Sequence, residues 1–507
     1  MNTTSPKKIV VVGGGSSGWM TGISLNKVFN ASARNYDITV IESPDIGIIG
    51  VGEATVHSVR FFFAALGLDE DELLRETNAS LKTGILFKNW RKPVNGHMHQ
   101  YFHPFEHQPL GREQDISSSW FINGRERQER YDEGVSLSTA LMKQGHGPKG
   151  PNSPSYQGVV PYGYHIDAVL LARYLRKKAT EAGVRHIEAT ISDVEVAGDT
   201  ILSVQAGDDR YEADVFIDCT GFRGLLIEKL KQDNWISFTK ALPCNKAVAI
   251  QRELVPGEAP KPYTTSTAAS NGWIWQIDLV NRQGTGYVYD GNRLSSGEAE
   301  AELRAFLGPE SQVLKCTHLN MKIGCRKEFW VGNCIAIGLS GGFIEPLEST
   351  GLHLINLAAG LLASHHPRRD TTQAVRDSFN RLMSGFYQDL KQFIVLHYCL
   401  TDRDDSDFWR AAPATVKECP WLEKQLEIWR HKICEYQDLA GSFSTIFADE
   451  NYRYVLYGMQ HYPDLRLSMG PDSHDKISAQ LAQMAVHAVN VTLPHGDYLR
   501  RLNEEQT

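Results

Sequence analysis

The stretch Ile9-Val-Val-Val-Gly-Gly-Gly-Ser-Ser-Gly18 limits the folds open to this chain more than any other. Four β-branched residues, Ile9 to Val12, predict a buried parallel strand. Gly13, Gly15 and Gly18 follow in G-x-G-x-x-G spacing. The first allows a tight turn, the second a close backbone approach to a pyrophosphate, the third close packing of helix on strand. A helix is expected from about Ser17 to Asn30, with Trp19, Ile23 and Val28 among its apolar residues. Its N-terminal N–H groups and dipole would face the phosphates. A second strand, Ile38-Thr-Val-Ile41, ends on Glu42, 24 residues after Gly18. That is close to the spacing of a carboxylate that binds a ribose hydroxyl. The bland alternative is a strand–helix turn that holds no ligand.

Composition narrows the class. At 507 residues, 42% hydrophobic and 22% charged, the chain is globular and long enough for two or three domains. A net charge of −8 with no basic run argues against a nucleic-acid partner. Eight scattered cysteines without C-x-x-C read as reduced thiols in a reducing, cytoplasmic setting. The first strand is reached within nine residues, so no signal peptide is expected. The most apolar helix candidate, Leu352 to Ala363, is too short to span a bilayer and contains His353 and Asn356, so no membrane partner is expected.

Further along, Gly47, Gly50 and Gly52 mark a loop where backbone passes close to something flat or anionic. Glu53 then caps the next turn or accepts a hydrogen bond from a cofactor. Residues 56–77 read as helix, with Leu66, Leu68, Leu73 and Leu74 as core. Leu81, Ile85 and Phe87 have strand spacing with Lys82 among them, and residue physics favours the surface for such a lysine, with a chemical role as the lesser alternative. Residues 91–160 read as loop-rich and polar. His97, His99, His103 and His107 crowd there, but without a cysteine they favour an ordered loop over a metal site, and no metal is expected. A helix is expected to open at Gly163 and run to about Ala182, followed by short strands over 186–218. Apolar strands run into glycine again near 219 and 338. Three such junctions, with the one at Gly13, predict one nucleotide-binding layer of a large flavin domain. Trp273, Trp275 and Ile277 alternate, so a strand puts them on one face. Past residue 366 the chain reads as helical and aromatic-rich.

The expected fold class is α/β: an FAD-binding Rossmann-type, monooxygenase-like domain with inserted substrate segments and a mainly helical C-terminal module. The flavin module is assigned to 1–95, 155–235 and 320–365, and the substrate module to 96–154, 236–319 and 366–507.

These residues resemble the flavin-dependent halogenases, in particular the tryptophan-halogenase-like group. Gly13-x-Gly-x-x-Gly18 followed by Trp19 matches the family's dinucleotide motif, and Gly50-Val-Gly-Glu-Ala-Thr55 its flavin-contacting loop. Lys82 falls where the family keeps its catalytic lysine. Trp273-x-Trp275-x-Ile277 matches W-x-W-x-I-P except that Asp278 replaces the proline. That exchange restores an N–H, adds a charge beside an apolar wall, and is expected to leave the tryptophan pair in place. Pro346-Leu-Glu-Ser-Thr-Gly351 matches the segment with the catalytic glutamate and the halide-side backbone.

The resemblance implies an enzyme that uses FAD as FADH2, supplied by a separate flavin reductase, with dioxygen and bromide or chloride, to halogenate an electron-rich aromatic ring such as indole or tryptophan. Lys82 and Glu348 are then catalytic. Gly13, Gly15, Ser16, Gly18, Trp19, Glu42, Gly50, Gly52, Glu53, Ala54, Gly338, Leu347 and Gly351 hold the flavin. Trp273, Trp275, Ser349, Thr350 and Gly351 line the halide side. A monomer or homodimer is expected. An aromatic hydroxylase and a non-enzymatic flavin binder stay open as alternatives. Asp449, Glu450 and Arg453 provide the parts of a grip on a free amino acid, or else a solvated helix face, and the reading here is a small indole-type ring without that grip.

Overall fold

The computed structural model describes residues 6–47, 52–106, 116–121, 129–255, 257–439, 446–465 and 471–504. Lys7–Val12 sits inside a six-stranded sheet in the order Trp330–Val331, Cys334–Ala336, Val215–Asp218, Lys7–Val12, Tyr36–Glu42, Arg185–Glu188. All its pairings are parallel except the first, a hairpin. The strands entering the three glycine junctions are therefore neighbours, and one layer is formed as expected. Ile9 and Val11 pack into one core, Val10 and Val12 into another on the opposite face. Burial on both faces is why the strand is continuously apolar.

A seven-stranded sheet runs Val313–Asn320, Lys246–Arg252, Gln283–Tyr289, Gly272–Asp278, Thr264–Ala269, Gly84–Lys88, Gln100–Pro104. It draws strands from both sets of segments assigned above. A small third sheet joins Glu53–Ala54, Gly163–Ile166 and Ser80–Lys82. Lys82 pairs with Gly163 and Glu53 with Ile166, so the flavin-loop strand and the lysine strand flank one central strand.

The first helix spans Ser16–Phe29, with Val28 half-exposed rather than in the core. Residues 56–77 form two helices, Ser58–Leu66 and Glu70–Glu76, because Gly67 adopts φ 77° and ends the first. Gly163 opens a strand, not a helix. The helix begins only at Ala168, where the Asp167 carboxylate accepts the Val169 and Leu170 N–H groups. Within the loop-rich stretch 91–160 the structure adds the strand Gln100–Pro104, which carries His103, and the short helices Tyr131–Val135 and Leu137–Lys143. The long C-terminal helix is Gln373–Cys399. No described helix is long and apolar enough to cross a membrane.

Two glycines of the first turn differ physically. A Cβ on Gly18 would lie 1.8 Å from the Gly13 carbonyl oxygen, and the backbone has no room to give. A Cβ on Gly15 would meet nothing within 4 Å. Gly18→Ala should therefore cost about 3 kcal/mol or more. Gly15→Ala should stay within about 1 kcal/mol of wild type in urea denaturation while weakening flavin binding.

Candidate active site

Lys82 ends its strand fully buried, not at the surface as residue physics suggested. Its Nζ donates to Ser349 Oγ at 2.6 Å and lies 4.9 Å from the Phe105 ring centre. Burial pushes the amine down to about 7 against the pull of Glu348. Ser349 is placed by a turn. The 3-10 segment Pro346–Glu348 closes with Ser349 in the left-handed region at φ 60°, its N–H bonded to the Pro346 carbonyl. A non-glycine residue there carries a strain cost, and it presents its hydroxyl to Lys82.

Glu348, one residue earlier, is also fully buried. His103 Nδ1 lies 3.0 and 2.9 Å from its two oxygens. His397 Nε2 lies 2.8 Å from Oε1, although its N–H is not aligned on that oxygen. Burial alone would raise this carboxyl. The pairing with His103, then with His397, outweighs it and holds the group at about 2. Asn451 orients His103. Asn451 Oδ1 accepts the Ala448 N–H at 2.9 Å, so its amide nitrogen faces His103 Nε2 at 3.0 Å. Nε2 accepts that bond, and Nδ1–H is left for Glu348.

His103, His397 and Asn451 escaped the sequence reading. His103 had a usable signal: Tyr101, His103 and Phe105 alternate, as on a strand face. His397 lies within an apolar helix, where nothing in the sequence marks it. The other histidines go elsewhere: His99 Nε2 bonds the Gly458 carbonyl, and His107 lies outside the described residues.

Trp273 and Trp275 share one face of Gly272–Asp278, ring centres 6.1 Å apart. Trp275 lies over Gly286, its cross-strand partner, where a Cβ would come within 2.0 Å of the indole. Trp273 Nε1 donates to Glu345 Oε2. Asp278 leaves the pair in place. Its carboxylate accepts Gln283 Nε2 at 2.6 Å and the Lys261 N–H at 3.0 Å, and its carbonyl accepts Ser80 Oγ.

The cradle for a dinucleotide fits. Gly13 has φ 114°, and Gly15, Gly221 and Gly351 face open space. Gly351 opens the helix Gly351–Ser364 directly after Ser349 and Thr350. Glu42 packs over Gly14, with His186 Nε2 at 3.2 Å from its carboxylate. Ser16 starts the first helix. Ser17 Oγ ties that helix to the Ile337 carbonyl beside Gly338. The Trp19 ring is buried edge-on against His186 and its backbone N–H donates to the Gly15 carbonyl, so it supports the turn from behind. Gly52 has φ 88°, Ala54 pairs with His165, and Leu347 is buried. Desolvation pushes Glu53 up to about 7. Gly50 lies outside the described residues.

Asp449, Glu450 and Arg453 are buried, so the solvated-face alternative does not hold. Arg453 donates to Asp449 Oδ2 at 2.8 Å and to the Cys434 carbonyl at 2.6 Å.

The tryptophan halogenase family model matches residues 8–471, and the chain belongs to that family of flavin-dependent enzymes. It is 35% identical to tryptophan 6-halogenase SttH of Streptomyces toxytricini over 87% of each chain. The crystal structure of SttH superposes with TM-score 0.90 at 32% identity, covering 98% of this chain and 100% of that one. The tryptophan halogenase of Shewanella frigidimarina gives TM-score 0.92 at 30% identity over 98% of each chain. BrvH, a flavin-dependent halogenase from Brevundimonas sp. BAL3, gives 0.85 at 32% identity, covering 98% and 99%.

The depressed Glu348 carboxyl has a stability consequence. Its contribution is complete above the unfolded value near 4.5 and is lost as pH falls toward about 2. The stability gap between wild type and Glu348→Gln in urea should therefore shrink by about 3 kcal/mol between pH 7 and pH 2.

Proposed function

We propose that this enzyme brominates or chlorinates an indole-type ring, with Lys82 handling hypohalous acid and Glu348 stabilising the ring cation. The observation that carries this is Lys82 Nζ held on Ser349 Oγ, one residue from the buried Glu348 carboxylate. Reduced FAD, supplied by a separate reductase, provides with dioxygen the two-electron oxidation of halide to hypohalous acid.

Lys82 meets that oxidant as a desolvated amine. The amine either donates a hydrogen bond to it or forms an N–halogen bond as water leaves. Glu348, ionised across the working range, places negative charge where the halogenated ring turns cationic. It then accepts the ring proton, which is acidic enough to pass even to a weak carboxylate base. His103 and His397 keep the carboxylate aimed, and Asn451 keeps His103 in the donating tautomer. The Trp273/Trp275 wall separates substrate from flavin. This suits the division into a flavin module (1–95, 155–235, 320–365) and a substrate module (96–154, 236–319, 366–507).

We assign the substrate ring to the side of Glu348 and His103, where Phe393, Phe447 and Tyr454 surround the His103 ring at 5.9, 6.3 and 6.1 Å. Arg453 is engaged by Asp449 and the Cys434 carbonyl, which favours a substrate without an amino-acid carboxylate. SttH acts on tryptophan by its name, so the choice needs measuring.

Lys82→Ala should abolish halogenation while flavin binding and reoxidation persist. Glu348→Gln should lower turnover by about 10²-fold or more. Flavin loss in the first or a change below about threefold in the second would sink the assignments. Because the amine fraction of Lys82 grows through pH 7, single-turnover halogenation should rise roughly tenfold from pH 6 to 8. A falling profile would mean the ammonium form is the working one. In a competition of equal indole and free tryptophan with bromide, indole should react at least as fast. A tryptophan advantage that Arg453→Ala removes would reverse the substrate reading.

A further inference from the structure

Glu345 lies three residues before Glu348 and takes no part in the steps above. It is 1% exposed. Its Oε2 accepts two bonds, from Trp273 Nε1 and from the Tyr398 hydroxyl, each at 2.9 Å. Its Oε1 is buried with no hydrogen-bond partner. Two donors on one oxygen fill both of that oxygen's lone pairs, which is the pattern of the carbonyl oxygen of an acid. A bare anionic oxygen in a dry site costs far more than a bare hydroxyl.

The surroundings point the same way. Trp273 faces the carboxyl from the strand Gly272–Asp278, and Tyr398 from the helix Gln373–Cys399. Cys244 is a third neighbour, its Sγ 3.6 Å from the Tyr398 hydroxyl, and Asp290 acts on Cys244. No cation is among the described groups acting on Glu345, and desolvation pushes it up to about 7 despite the two donors. Behind Tyr398 a cavity of about 230 Å³ is lined by Pro243, Arg293 and Phe408, with the exposed Lys240 at its rim.

We propose that Glu345 is a positioning residue that holds the Trp273 indole as a neutral carboxylic acid, anchored from behind by Tyr398. The tryptophan wall is then set by a protonated acid as well as by packing, and ionisation of that acid loosens it. The proposal rests on the wall function given above only for its effect on product coupling. The protonation state is tested separately.

The first test is thermal denaturation of wild type and Glu345→Gln from pH 4.5 to 8.5. A carboxyl raised in the folded state makes wild type lose stability as pH climbs from the unfolded value to the folded one. The melting temperature of Glu345→Gln should therefore gain on wild type across this range. A gap that is flat, or that closes with pH, would overturn the neutral acid whatever the enzyme halogenates.

The second test is the ratio of halogenated product to flavin oxidised. Relative to Glu345→Gln measured at the same pH, the wild-type ratio should fall about threefold or more between pH 6.5 and 8.5. Glu345→Gln keeps an acceptor for Trp273 and cannot ionise, so it should show only the pH dependence that Lys82 gives all three proteins. Glu345→Leu should show the low ratio at every pH. Lys82 titrates in the same range but is common to all three proteins, so their differences belong to Glu345. Should Glu345→Gln not fold, Tyr398→Phe removes one donor and should move the wild-type fall to higher pH. Equal ratios in wild type, Glu345→Gln and Glu345→Leu, with the melting gap as expected, would leave an acid that does not position the wall and would overturn that half.

Discussion

Two ionisable side chains, Lys82 and Glu348, are held out of water on adjoining segments, and the surrounding architecture answers the cost of that burial. Each would be strongly disfavoured in a dry interior if left alone. Glu348 keeps its charge because His103 and His397 approach both oxygens. Lys82 has one hydroxyl, Ser349 Oγ, and a distant opposing charge, so its amine gives up much of its proton affinity. The asymmetry is useful. Under the proposed mechanism one group stays anionic, while the other is neutral enough near pH 7 to meet an electrophilic oxidant.

Two sheets and one long helix deliver the parts. The small sheet ties Lys82 to the strand carrying His165 and to the Glu53–Ala54 strand of the flavin loop. The seven-stranded sheet places His103 at one edge region and the tryptophan pair in its interior. The long helix Gln373–Cys399 then lays His397 on Glu348 and Tyr398 on Glu345, consecutive residues reaching two different carboxyls. The turn at Ser349 makes this convergence possible, since its left-handed backbone sends successive side chains to separate partners.

Asp278 shows how a departure from the family signature is absorbed. A proline there would have stiffened the strand end. The aspartate instead accepts bonds from Gln283 and Lys261, so its charge is compensated locally and Trp273 and Trp275 keep their places. Gly286 matters as much as either tryptophan, because only a bare backbone leaves room for the Trp275 ring.

The nucleotide layer was legible in the chain because its signals are local. Strand, glycine turn, helix and acid follow one another, and each rests on backbone conformation or nearest-neighbour packing. The tryptophan strand was legible for the same reason, through its period of two. Lys82 and Glu348 were identifiable by resemblance, yet residue physics alone sent Lys82 to the surface, because burial depends on segments far away in sequence. His103 was taken for loop and Gly163 for a helix start, since pairing with distant strands decides both. His397, Asn451 and Glu345 carried no sequence signal at all. Their roles come from contacts spanning 49 residues or more, between His397 and Glu348, between Asn451 and His103, and between Glu345 and Trp273. Local chemistry determined which cofactor layer this chain builds. Only tertiary packing decided which side chains lose water together, and desolvation is what turns those residues into a reactive site.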